Sequence, residues 1–166
     1  TADLASFVTG YADTSKLYRV NSNNSISIWG DITNIEEHND VFVFFEYLYE
    51  HYFSDPADLQ VLLQDTLNGM AGINSALEKT GAGKTIEEIF DDFAMACYFD
   101  NPDPAFHGGL YGFNNLKVQA KTLLLDWGKT VNPPYFYRQD EWSVFYIAQR
   151  GIIGGVNFSP QFDNTY

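Results

Sequence analysis

Basic side chains are scarce in this chain: nine Lys and Arg stand against 22 Asp and Glu, for a net charge of −13. Nucleic-acid binding replaces phosphate counterions with clustered cations, so this balance argues against DNA or RNA as a partner. It argues equally against an anionic membrane surface. Cysteine is nearly absent: Cys97 is single, so no intrachain disulfide can form. On the apolar face of a helix it reads as packing. The three histidines, His38, His51 and His107, form no close pair and no HExxH pattern, so no local zinc site is written here. No apolar run reaches the length of a membrane span. No signal peptide is visible, and the chain opens on Thr1 rather than Met, which reads as a processed or truncated product.

What is present is a chain of 166 residues, 45% hydrophobic and 17% aromatic, suited to one domain around one core rich in Phe and Tyr. Some of those aromatics are candidates for a groove or an interface. The densest stretch runs from Glu37 to Phe53. From Val41 onward it is apolar or aromatic at nearly every position, and a helix apolar almost all round needs partners on several sides. The pattern predicts a central buried helix over about 40–53, with Asn39 or Asp40 as its N-cap. His38, after Glu36 and Glu37, stands at its mouth.

Around this rod the elements predicted are mostly helical. Asp3–Val8 reads as the end of a helix stopped by Gly10, with Leu4, Phe7 and Val8 on one face. Residues 11–24 read as a long polar surface loop, and Ser25–Trp29 alternates like a short strand. Asp55 caps a helix with Pro56 at its first position and a stripe of Leu59, Leu62, Leu63 and Leu67, ended by Asn68-Gly69. Gly72–Thr80 forms a shorter helix closed by Gly81. Thr85 and Glu88 make a capping box for a helix carrying Ile86, Phe90, Phe93 and Cys97, halted at Asp100–Pro104. Leu116–Trp127 suits helix or extended chain, whereas Trp142–Ile147 and Gly155–Phe158 favour strands. The expected class is mainly α: a helical bundle around the central helix, with a small strand-bearing C-terminal part.

Three stretches suggest chemistry. Gly81-Ala82-Gly83-Lys84-Thr85 ends like a phosphate-binding loop, but the first glycine of the pattern is replaced by Glu78 and a helix rather than a strand precedes it. Thr85 is better explained as a cap. Asp100, Asp103 and the backbone around Asn101 are a weak calcium candidate, since hard cations want six or more oxygens and this stretch supplies part of a shell. His51 suits the negative end of the central helix, and His107 sits in a glycine-rich loop. His38 is the histidine best placed for a site, with capping or a surface role as the alternative.

The order of these stretches resembles a known group. Ala2–Gly10, Leu17-Tyr18-Arg19, Ser27–Gly30, Glu37–Asp40, Phe44–Tyr52, Gly72–Leu77 and Ile89–Ala96 are similar to the helical half that follows the HExxH helix in secreted bacterial zinc metallopeptidases. The group is the immune-inhibitor-A-like and hyicolysin-like peptidases, relatives of the thermolysin-like gluzincins, and the likeness spans roughly residues 2–112.

The resemblance implies that the chain, 1–166, is a single unit, the C-terminal lobe of a larger catalytic domain, with 130–166 as the start of a β-containing extension. It implies a secreted or extracellular location and a peptide or protein substrate. In this group zinc is held by two His and a later Glu, and an acid four residues after that Glu steadies a zinc-bound His. Asp3 falls at the place of that acid, which puts the zinc ligands and general base before Thr1, on an N-terminal portion that would be this lobe's partner. No metal ligand is assigned within the chain. His38 falls where relatives place a donor to the tetrahedral oxyanion, and Asn39 beside it is a candidate for substrate binding. This chain alone is expected to hydrolyse nothing. The alternatives are a non-catalytic extracellular domain that binds protein or glycan, and an acidic helical domain that shares only packing with the peptidases.

Overall fold

The structure is a computed structural model and describes residues 2–11, 15–20, 26, 35–53, 55–126 and 146–150. Among them run α1 (Ala2–Val8), β1 (Leu17–Val20), α2 (Ile35–His51), α3 (Pro56–Gln64), α4 (Gly69–Thr80), α5 (Ile86–Phe99), a 3-10 turn at His107–Gly109, β2 (Lys117–Ala120), β3 (Thr122–Asp126) and β4 (Tyr146–Arg150). The architecture is mainly helical with a small strand part, as the apolar patterning predicts; the strands form two parallel pairs. No helix among the described residues is long and apolar enough to cross a membrane.

The core is built on α2. Val43, Tyr47 and Leu48 are 0% exposed, and Val41, Phe42 and Phe44 are buried beside them. Rings from several directions meet this helix: Phe93 of α5 lies 5.1 Å from Phe44 and 5.7 Å from Tyr47, and Phe113 lies 5.7 Å from Tyr47. Each large apolar side chain sequestered in this way contributes about 1.5–3 kcal/mol relative to exposure. Cys97 is buried and packs in the same core.

The predicted start of α2 needs correction. Asn39 and Asp40 lie within the helix, which begins at Ile35, and so cap nothing. Glu36 and Glu37 therefore belong to its first turn. The Asn39 amide oxygen accepts from Lys16 Nζ at 3.5 Å. At the other end the helix stops at His51 rather than Phe53, because the amides of Tyr52 and Phe53 both return to the Leu48 carbonyl.

Capping sets the other helix ends. Gly10 has φ of 80°, and Tyr11 N bonds to Ser6 O while Gly10 N bonds to Phe7 O, closing α1 in a Schellman arrangement. Asp55 and Asp58 form a capping box at α3, and Thr85 and Glu88 form one at α5. The α3 stripe is narrower than predicted: Leu59 and Leu62 pack against the core, whereas Leu63 and Leu67 are exposed. Asp65 causes this. Its backbone leaves the helical region after Gln64, its carboxylate accepts from Leu67 N at 2.8 Å, and Lys79 pairs with it at 2.7 Å. Asn68 accordingly precedes α4 rather than ending α3.

The strands also differ from expectation. Residues 17–20 are a strand, not loop, and pair in parallel with β2 in the register Leu17 to Lys117 and Arg19 to Gln119. Tyr18 and Val20 face the core while Leu17 and Arg19 face out, an alternation too short to stand out in its polar surroundings. The strand-bearing part is therefore not only C-terminal. Of the stretch 116–127, the described residues through Asp126 run through β2 and β3 rather than a helix, and β3 pairs in parallel with β4. Of the predicted C-terminal strands, Tyr146 and Ile147 lie in β4. Residues 142–145 and 155–158 lie outside the described residues, as does Ser25–Trp29 apart from Ile26.

Candidate functional site

Three elements meet at the mouth of α2. Phe7 of α1 packs edge-on to Phe42 at 6.2 Å, and Tyr18 of β1 lies 5.2 Å from the same ring. Lys16 Nζ stands over the Tyr18 ring at 4.9 Å and reaches across to Asn39. Phe42 thus pins both α1 and β1 to the entrance of the central helix. His38 is half-buried in the first turn of α2, and Asn39 is half-buried beside it. Asp3 lies on α1, one helical turn before Phe7, just as His38 lies one turn before Phe42. The ring pair therefore brings together the two helices that carry Asp3 and His38.

A groove of about 390 Å³ opens here, lined by Leu17, Arg19, Asn39 and Lys121. Arg19 projects from the outer face of β1, and Lys121 follows β2, its backbone N–H bonded to Val20 O at 2.9 Å. Sequence reasoning does not single out these two basic residues. The signal that points to them is the rarity of positive charge in so acidic a chain.

A second polar cluster lies at the other end of α2, against the segment that follows α5. Tyr47 donates its hydroxyl to Leu110 O at 3.0 Å, and His51 Nε2 donates to Gly112 O at 3.0 Å. His51 is therefore a bridge between helix and loop, stacked 4.5 Å from Tyr47. Glu50 accepts from the backbone amides of Asn114 and Asn115 at 2.8 and 3.0 Å. Glu46 is fully buried, with neither carboxylate oxygen hydrogen-bonded among the described residues. Burial first, and the neighbouring Glu50 second, push its pKa up to about 9. Glu46 is consequently protonated and neutral at pH 7, the usual outcome for a carboxyl denied water.

The other stretches singled out by sequence are occupied structurally. Lys84 pairs with Asp92, to which Tyr52 also donates its hydroxyl, and the Thr85 hydroxyl accepts from Glu88 N, so the phosphate-loop look-alike spends its polar groups on folding. Asp100 adopts a left-handed conformation at φ 42° and accepts from Val118 N at 3.0 Å. Its pKa is raised, chiefly by burial. Asn101 and Asp103 accept from backbone amides two residues ahead, closing successive turns. His107 is exposed, against Phe106 and Tyr111. Among the described residues no group of three or more His, Cys, Asp or Glu side chains is arranged to hold a metal ion.

Comparison of the chain with protein-family models, with curated proteins and with solved structures returns no match.

Proposed function

We propose that this chain is the substrate-facing helical lobe of a secreted zinc metallopeptidase. The observation that carries the reading is the Phe7–Phe42 contact, which packs the helix of Asp3 against the helix of His38. A lobe of this kind needs that adjacency, since one helix steadies a zinc-bound His and the other faces the scissile carbonyl. Zinc, held by residues preceding Thr1, would supply Lewis acidity toward the attacking water and the peptide carbonyl. His38 would donate an imidazole N–H to the oxygen on which negative charge develops, a bond that is worth most in the transition state. Asn39, in the wall of the adjoining groove, would hold the peptide in line. Asp3 would orient the ligand His from α1.

The test is made on the full-length parent, with the sequence preceding Thr1 included and zinc supplied. The reading expects hydrolysis of a protein substrate such as casein, abolished by chelation and restored by zinc. A folded, zinc-loaded parent that cleaves no peptide, or a parent with no HExxH helix upstream, sinks it.

One surface supports the alternative of a non-catalytic binding domain. Tyr98 and Phe99 are 57% and 43% exposed, and Phe99 continues through Phe106 and Tyr111 as a run of ring contacts. An aromatic surface of this kind suits stacking on a sugar ring or an apolar peptide side chain. A parent lacking the zinc motif, yet retaining glycan or peptide binding lost on Tyr98→Ala, would favour that reading.

A further inference from the structure

The turn between α3 and α4 is held on both sides of one exposed dipeptide. Before it, the Asp65 carboxylate accepts from Leu67 N at 2.8 Å and pairs with Lys79 at 2.7 Å. After it, the first turn of α4 closes on the same segment, so that a Cβ on Gly72 would stand 2.5 Å from Leu67 O. Between these ties Asn68 and Gly69 are both exposed. Asn68 stands at the N-cap position of α4 with φ −110° and ψ 159°, yet its side chain makes no capping bond. Gly69 has φ of 61°, and its N–H belongs to a first turn whose amides have no acceptor within the helix. This is the one Asn-Gly pair in the chain. The other asparagines among the described residues are held differently. Asn39 lies within α2, and Asn74 lies within α4 and accepts from Ile86 N at 2.7 Å. Asn114 and Asn115 donate their side-chain amides to Glu50. Asn101 precedes Pro102, whose nitrogen carries no hydrogen.

We propose that Asn68-Gly69 is a self-modification site, at which the Asn68 side-chain amide is converted to aspartate and isoaspartate with water as the only co-reactant. The inference is independent of the peptidase reading. The Gly69 backbone nitrogen attacks Asn68 Cγ, and the new N–Cγ bond closes a cyclic imide. The Cγ–Nδ2 bond breaks, and Nδ2 leaves as ammonia with the proton that the Gly69 N–H gives up. Water then adds to either imide carbonyl. Opening at Cγ yields aspartate, and opening at the main-chain carbonyl yields isoaspartate, in which the chain runs through the former side chain. Glycine favours the closure because no Cβ crowds the attacking nitrogen and its backbone turns freely. The two products act differently on the fold. Aspartate is as good an N-cap as asparagine and sets negative charge at the positive end of α4. Isoaspartate adds a methylene to the backbone between Leu67 and Gly69, and the close approach of Leu67 O to Gly72 leaves no slack to absorb it. The isoaspartyl form therefore loosens the first turn of α4.

The test ages the 166-residue chain in mildly alkaline buffer made with heavy-oxygen water and maps it residue by residue with mass spectrometry. Each event should add about 3 Da, against about 1 Da in ordinary water, because the incoming oxygen is the solvent's. Asn68 should take up this label at least about tenfold faster than Asn114 or Asn115, since ring closure there meets no side chain. An isoaspartyl methyltransferase should label the same position. Gly69→Ala should slow the reaction by about tenfold. Asn68→Ser keeps a capping residue and the fold but should abolish all uptake at the turn. Separated by ion exchange, the isoaspartyl form should melt below the unaged chain and the aspartyl form at or above it. Label that appears first at Asn114 or Asn115 overturns the proposal, because the turn would then shield Asn68. Aspartate without isoaspartate at this position, or an unchanged rate in Gly69→Ala, also overturns it by showing direct hydrolysis with no imide. An isoaspartyl form that melts with the unaged chain overturns the structural consequence assigned to it.

Discussion

Glu50 Oε1 accepts both the backbone N–H of Asn115, at 3.0 Å, and its side-chain Nδ2–H, at 2.8 Å, across 65 residues of chain. Its Oε2 does the same for Asn114. One carboxylate thus fastens the segment between α5 and β2 to the end of the central helix. Glu50→Ala should cost about 2–3 kcal/mol, because several charge-assisted bonds are lost but the freed amides can reach water. Urea unfolding measures the loss, and hydrogen exchange should accelerate first at Asn114 and Asn115. Unchanged exchange there would show that the segment is held by its apolar contacts alone.

Glu46 makes stability depend on pH in an unusual direction. Its carboxyl holds a proton more tightly in the folded chain, at a pKa of about 9 against an ordinary 4.5. The stabilisation from this group is complete below 4.5 and is lost as pH rises toward 9. Glu46→Gln removes the titration. The stability of the variant relative to the native chain should therefore climb by about 1.4 kcal/mol per pH unit across that window, then level off. Denaturant titrations at a series of pH values read the slope directly, and a flat difference would mean that Glu46 is charged in the fold.

Gly112 is tightly enclosed. A Cβ added there would fall well inside van der Waals contact of Asn101 C and Pro102 N, backbone atoms that no rotamer change can move aside. Gly112→Ala should therefore displace the chain at Asn101 and Pro102, break the Asn101 N to Tyr111 O bond, and cost about 2–4 kcal/mol. Gly108 has φ of 70°, and a methyl carbon added there would meet nothing within 4 Å, so Gly108→Ala carries only the backbone strain of about 1 kcal/mol. Similar losses at the two positions would argue that the close approach at Gly112 is relieved by an easy shift.

The helical frame is legible in the sequence because its signals are local. Asp55-Pro56, Thr85–Glu88 and Gly81 announce helix ends through groups within four residues of one another. The buried rod of α2 is legible from apolar density alone. Its first turn is not, since Glu36 and Glu37 read equally well as loop. Tertiary pairings are the harder part. β1 is a strand because residues 117–120 come to lie beside it, and no property of residues 17–20 in isolation announces a partner about a hundred positions away. The basic groove has the same origin, for Arg19 and Lys121 meet only once β1 and β2 pair. Glu46 is a visible anomaly, an acid within Phe-Val-Phe-Phe-Glu-Tyr-Leu, yet its burial on every side depends on the ring contacts around α2.

His38 is where chemistry and packing can be told apart. In the zinc-loaded parent, His38→Ala should lower kcat by about a hundredfold with little change in KM, since a donor to the oxyanion acts mainly in the transition state. Asn39→Ala should do the reverse and raise KM, because a peptide-positioning amide acts on bound substrate and transition state alike. The two residues are adjacent on one helix and both half-buried, so a loss of local packing would affect the two variants in the same way. Opposite effects on kcat and KM, with equal thermal midpoints, can arise only if the α2 mouth faces a substrate. Unchanged turnover in both would leave His38 and Asn39 as ordinary residues of a helix start and return the α2 mouth to a purely structural role.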